Sequence, residues 1–267
     1  SLSLYAFYEC HNYHFVIFAA CMSGNYNVAI EYANHLSKFV KARISNGNQI
    51  STAFCEAFLI LQPMVYVRFG KWDSILILED TDHAIENTFI HYARTIAYAA
   101  LDNIENAKLE HEIFKKLIHE LPETIHLHNE SVKNISQVAL LVCEAEIIYR
   151  VDPMDDKWIM ILLDAIDKEK ELAYDEPPAW MIPVRQTLVA LLLESRDDRA
   201  QEILQRIKED YLKWPKNVWI TAALMRYDEK FIISKDEKLL NDIKSEFGNK
   251  QKATTSCACA RKQWKDF

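Results

Sequence analysis

The chain has 267 residues, half of them hydrophobic, 26% charged, with a net charge of −8 at pH 7. That balance supplies ample apolar material for a continuous core and excludes a nucleic-acid binder of the usual kind, which needs a basic face against phosphate. No run of about 18 apolar residues predicts a membrane span, and the opening SLSLYAFYECHNYHF lacks the basic start of a signal peptide.

With only four glycines and seven prolines, and no sustained strand-like alternation, the expected fold class is all-α. The first unit, HNYHFVIFAACMSGNYNVAIEYANHLSKFV, reads as a helix to about Met22, a turn at Gly24 and a second helix striped by Val28, Ala29, Tyr32, Ala33 and Leu36. A second unit spans about 51–79, turning at Gly70, and Pro63 is expected to kink or break its first helix. The third covers 84–121 with its turn at Asp102-Asn103. PETIHLHNES follows as a loop in which Ser131 is a good N-cap. The fourth pairs 131–150 with 157–173, striped by Trp158, Ile161, Leu162, Ala165 and Ile166.

The fifth unit, Tyr174 to Pro215, is the most complete. Pro177, Pro178 and Pro183 stiffen its entrance. Val184, Leu188, Leu191 and Leu192 then stripe one helix, and Ala200, Ile203, Leu204, Ile207 and Tyr211 the next. A sixth pair is weaker, at about 217–228 and 235–247, and 251–267 reads as a tail or the start of a further helix. A hairpin with two facing stripes cannot bury them alone and must stack on neighbours. The expected architecture is therefore an α-solenoid of about six hairpins over 1–250.

In three units a small residue falls five positions after the turn: Gly24 to Ala29, Asp102 to Ala107, Ser195 to Ala200. That spacing resembles the tetratricopeptide repeat, in which a small residue marks the closest helix approach; the repeat's usual helix-A aromatic and glycine are mostly absent. HNYHF at 11–15, VRFGKWD at 67–73 and YDEPPAW…PVR at 174–185 are similar to a family of tetratricopeptide-repeat proteins of undefined biochemical role. The resemblance runs the length of the chain and implies the latter part of a longer array, since further repeats precede the HNYH segment in that family. The absent initiator Met fits the same expectation. The resemblance implies fold and little chemistry. Buried alanines at the three spacings are its direct structural consequence.

Helical spacing places His11, His14, Phe18 and Cys21 on one side of the first helix, the expected groove face. The same arithmetic selects Phe89, Tyr92 and Ile96 in the third unit, and Ile182, Arg185 and Val189 in the fifth. Two imidazoles at i, i+3 make half of a divalent-metal site, with Cys10 nearby, but zinc takes three or four ligands. The simpler expectation is that these histidines bond helix ends or an adjacent repeat. His126 and His128 are expected in a solvated loop, and His91 and His111 as satisfied core residues. Arg185 either grips an anion or, more simply, pairs with Glu176 or packs on Trp180.

Asp155 and Asp156 are adjacent and point apart, which rejects paired-carboxylate catalysis there. DPMDDKW and DAIDKEKEL read as solvated helix faces. Of the six cysteines, Cys257 and Cys259 form an isolated CxC, a weak metal signal; the scattered others read as buried thiols in a reducing compartment, hence a cytoplasmic location. Phosphate loops, GxSxG and HExxH are absent from the sequence. The expected function is a non-enzymatic scaffold, without cofactor, that binds a peptide or protein partner on its concave face through His11, His14, Tyr92 and Arg185. The alternative is a metal- or small-molecule-binding protein, even an enzyme, whose site His11 and His14 share with repeats outside this chain.

Overall fold

The computed structural model describes residues 2–45, 55–214 and 217–231. The second helix expected at 235–247, the 251–267 segment, Cys257 and Cys259 lie outside the described residues. Among the described residues the chain is all-α, with eleven α-helices, two 3-10 turns and a single two-stranded pairing.

The first pair is α1 (Leu2–Met22) and α2 (Tyr26–Ser45). Between them Gly24 takes φ 72°, a left-handed value that costs a residue without Cβ nothing. Asn25 then caps α2 by accepting from the Val28 N–H at 3.3 Å. A 3-10 turn, Glu56–Ile60, leads into α3 (Leu61–Arg68) and, past Gly70, α4 (Trp72–Leu76). Pro63 explains this broken unit. It has no N–H to donate, so it sits in the first turn of α3, and the preceding residues tighten to 3-10 geometry.

Next come α5 (Ala84–Ala100) and α6 (Ile104–Glu120), joined through Asp102 at φ 60° and capped by Asn103. Strands β1 (His126–Leu127) and β2 (Glu130–Ser131) pair antiparallel with Leu127 opposite Glu130. The loop expected there is thus a miniature hairpin with His128-Asn129 at its tip, and His128 takes φ 54°. Ser131 caps α7 (Val132–Val151), accepting from the Asn134 N–H at 3.1 Å. Then follow α8 (Lys157–Glu171), α9 (Val184–Ser195), a 3-10 turn at Asp197–Arg199, α10 (Ala200–Lys213) and α11 (Val218–Phe231).

Helices pack first on their sequence neighbours, and successive pairs are linked through α2–α3, α3–α5, α5–α7 and α8–α9. One apolar cluster runs through the whole, from Ala6 in α1 to Tyr227 in α11. Ala29 and Ala107 are fully buried, as the close-approach argument requires. Ala200 is not: it is only half-buried, because the 3-10 turn delays α10 and makes Ala200 its first residue. No helix among the described residues is long and apolar enough to cross a membrane.

The two ends of the described chain meet. The Trp219 indole, fully buried, donates to the Cys21 carbonyl at 2.7 Å across 198 residues of sequence. The Arg68 guanidinium lies 4.0 Å over the Trp219 ring and donates to Gln186 Oε1 at 2.7 Å. Phe69 meets the same indole edge-on, and Asn217 Nδ2 reaches Met22 Sδ at 3.1 Å. An array in which each unit touches only its neighbours has no such contact.

Candidate functional site

Closure of the ends leaves a half-open cleft with a cavity of about 680 Å³, within the size range of small-ligand and side-chain pockets. One wall is α1, which presents Phe15, Phe18 and Met22, the i+4, i+7 and i+11 successors of His11. The facing wall is the proline-stiffened 172–183 segment, including Tyr174, Pro177, Pro178 and Trp180. Trp180 is buried against Tyr92 of α5, ring centroids 5.8 Å apart, which ties that wall to the core. The floor comes from α8 and α10 through Ile166, Glu169, Arg185 at the start of α9, Asp210 and Trp214. Tyr174, 80% exposed, and Phe15 and Trp214, each 42% exposed, are the large aromatic surfaces open to a ligand.

The charged groups of the cleft are mostly carboxylates: Glu169, Asp175, Glu176, Glu209 and Asp210, against Lys170, Arg185 and Lys213. Arg185 forms two ion pairs, Nη1 to Glu209 at 2.7 Å and Nε to Asp210 at 2.9 Å. It therefore pairs with α10 rather than with Glu176, and its charge is spent before an anion arrives. Glu176 instead accepts from the Tyr174 hydroxyl. Glu169 Oε2 accepts the Val184 N–H at 3.0 Å, so a carboxylate from α8 caps the N-terminus of α9. Burial pushes the Glu169 carboxyl up to about 7 and that of Asp210 up to about 6.

At the α1 end of the cleft three imidazoles gather. His128, from the hairpin tip, places Nδ1 3.2 Å from His11 Nδ1 and Nε2 3.1 Å from His14 Nδ1. Phe7 and Phe58 close around the His128 ring edge-on at 5.5 and 5.0 Å. Asn129, its neighbour, donates through its backbone to Asp175 at 3.0 Å and so connects the hairpin tip to the cleft wall. Desolvation holds His14 well below the ordinary histidine value, and burial with the nearby His11 lowers His128 to about 4. His11 Nδ1 and His14 Nδ1 each address a nitrogen of the His128 ring. His11 Nδ1 lies 3.2 and 3.5 Å from both nitrogens of the His128 ring rather than beside a shared point. Among the described residues no group of His, Cys, Asp or Glu is arranged to hold a metal ion.

Of the groove face expected on α1, Phe18 lines the cleft, while the rest of that wall is turned by one position to Phe15 and Met22. His14 and Cys21 are fully buried, and Tyr92, Phe89 and Ile96 belong to the core of α5. Ile182 and Val189 are buried too, leaving Arg185 as the residue of that set that lines the cleft. His11 is half-buried beside Phe15, ring centroids 4.8 Å apart. His126 is exposed, whereas His128 is not the solvated loop residue expected. His91 is the satisfied core residue expected, its Nδ1 pairing with Glu110 at 2.5 Å, whereas His111 is buried with its Nδ1 lacking a hydrogen-bond partner. Sequence reasoning overlooked Phe15, Met22, Glu169 and Trp214; the i, i+4, i+7, i+11 series from His11 was the available signal for the first two.

No family model, no curated protein and no solved structure matches the chain.

Proposed function

We propose that this chain is an interaction scaffold that captures a short peptide segment of a protein partner in the cleft between α1 and the 172–183 wall. The observation that carries this reading is the half-open, largely apolar cavity of about 680 Å³. Such a volume admits one or two side chains of a peptide laid along the opening, not a whole helix. Exposed Phe15 and Trp214 offer the aromatic surface that anchors such contacts. The finer reading, a degenerate tetratricopeptide-type solenoid whose ends have closed on each other, is supported by the succession of helix pairs and by buried Ala29 and Ala107. A metal-dependent role is less well supported, because His11 and His14 each turn a nitrogen to the His128 ring.

The test is selection from a display library of short random peptides by the wild-type chain and by Phe15→Ala. The wild type is expected to enrich peptides with an apolar anchor residue, and Phe15→Ala to bind them about tenfold more weakly. Phe15 is partly exposed, so the melting temperature should barely move. Equal enrichment by both proteins would overturn the reading.

A further inference from the structure

We infer that the cleft selects a positively charged side chain, a lysine or arginine beside the apolar anchor of the bound peptide, and that Glu169 receives it. This inference rests on the peptide-capture reading and names the chemistry of its ligand.

The argument is an account of charge. Among the groups lining the cavity, carboxylates outnumber bases five to three: Glu169, Asp175, Glu176, Glu209 and Asp210 against Lys170, Arg185 and Lys213. The bases are largely committed. Arg185 serves Glu209 and Asp210 together, and Lys170 Nζ turns to Asp167 at 2.8 Å, outside the cavity lining. Lys213 holds its ammonium over the Trp214 ring at 5.9 Å, and its charge favours the ionised forms of Glu169 and Asp210 without a direct ion pair. Asp175 is spent on Asn129, and Glu176 on the Tyr174 hydroxyl.

Glu169 is the exception. One oxygen caps Val184, and no lysine or arginine forms an ion pair with the carboxylate among the described residues. It is half-buried and shares the cavity lining with Ile166, Leu172, Ala179 and Trp180, whose apolar surface reduces its access to water. Desolvation already raises its affinity for a proton. An ammonium or guanidinium from a ligand would supply a directly hydrogen-bonded counter-charge, whereas Lys213 and Arg185 act on the carboxylate only without an ion pair. Phe18 and Trp214, in the lining of the same cavity, present ring surface that favours a cation further. An anionic side chain would meet the carboxylate excess, and a neutral one would take water from Glu169 and give it no partner in return.

Three blocked dipeptides test this: acetyl-Phe-Lys-amide, acetyl-Phe-norleucine-amide and acetyl-Phe-Glu-amide, titrated into isotope-labelled protein. Binding is read from chemical-shift changes of the Phe15 and Phe18 amides and the Trp214 indole. The lysine compound is expected to bind about tenfold more tightly than its norleucine isostere, with the glutamate compound weakest. Glu169→Gln keeps an oxygen for Val184 and should erase the lysine advantage while leaving norleucine binding in place. Equal affinities of lysine and norleucine in the wild type, or a lysine preference surviving in Glu169→Gln, would overturn the inference and leave peptide capture standing. Failure of all three compounds to shift the cleft resonances would overturn the capture reading itself.

Discussion

The His14 ring has no exposed surface, and its Nε2 is buried without a hydrogen bond. Protonating such a ring adds charge where neither water nor a carboxylate compensates it. His128 adds a second depressed site, at about 4, facing His11, Phe7 and Phe58. The sign of the consequence is fixed. Below about 6.5 the unfolded chain takes up protons on these rings that the folded chain refuses, so stability falls as the pH is lowered through that value. Each ring contributes at most about 1.4 kcal/mol per pH unit. His128→Asn should flatten this acid limb between pH values of about 6.5 and 4 in denaturant titrations, since Asn tolerates the positive φ at the hairpin tip. An acid limb unchanged in the variant would remove His128 from the account. The i, i+3 spacing of His11 and His14 was legible in the sequence, but nothing there pairs them with a ring 114 residues farther on. That pairing depends on two strands of two residues each, too short for any periodicity to register.

At the scale of elements, the distinction is between alanines set one turn inside a helix and one at its start. Ala107 packs with Ala99 and Ile147 where α5, α6 and α7 converge, and it has no exposed surface. Ala107→Phe overpacks that junction and should cost about 1–3 kcal/mol or more, seen as a clear fall in melting temperature. Ala200→Phe places its ring at the first, half-buried residue of α10 and should cost clearly less. Equal falls would mean that exposure does not separate the two sites. Helix pairs were readable because stripes, caps and turn residues agreed at Gly24, Gly70, Asp102 and Ser131. The face of α1 was less readable because that helix is apolar nearly all round, so spacing alone does not say which side meets the core. Phe15, Phe18 and Met22 line the cleft because α11 and the 172–183 segment take their places beside α1, a tertiary choice.

For the molecule as a whole, the clasp at Trp219 changes how stability is shared. In an array of nearest-neighbour units the ends fray independently. Here, opening the first pair uncovers Trp219, and undocking α11 uncovers Cys21, Phe69 and Arg68. The described helices should therefore unfold in one step, with tryptophan fluorescence and far-ultraviolet circular dichroism giving coincident transitions. Trp219→Phe keeps a ring under Arg68 and loses the donor to the Cys21 carbonyl, at a cost of about 1 kcal/mol. Trp219→Ala leaves a cavity beside the buried Arg68 guanidinium and should cost about 3–5 kcal/mol. The same substitution should weaken peptide capture although Trp219 is not part of the cavity lining, because α1 is one wall and the clasp sets its distance from the other. Capture by Trp219→Ala is best measured well below its own melting temperature, where the helices remain formed. Wild-type binding there, together with separate transitions for the two probes in the native chain, would show that the ends act independently and that the cleft is framed by α8 to α10 alone.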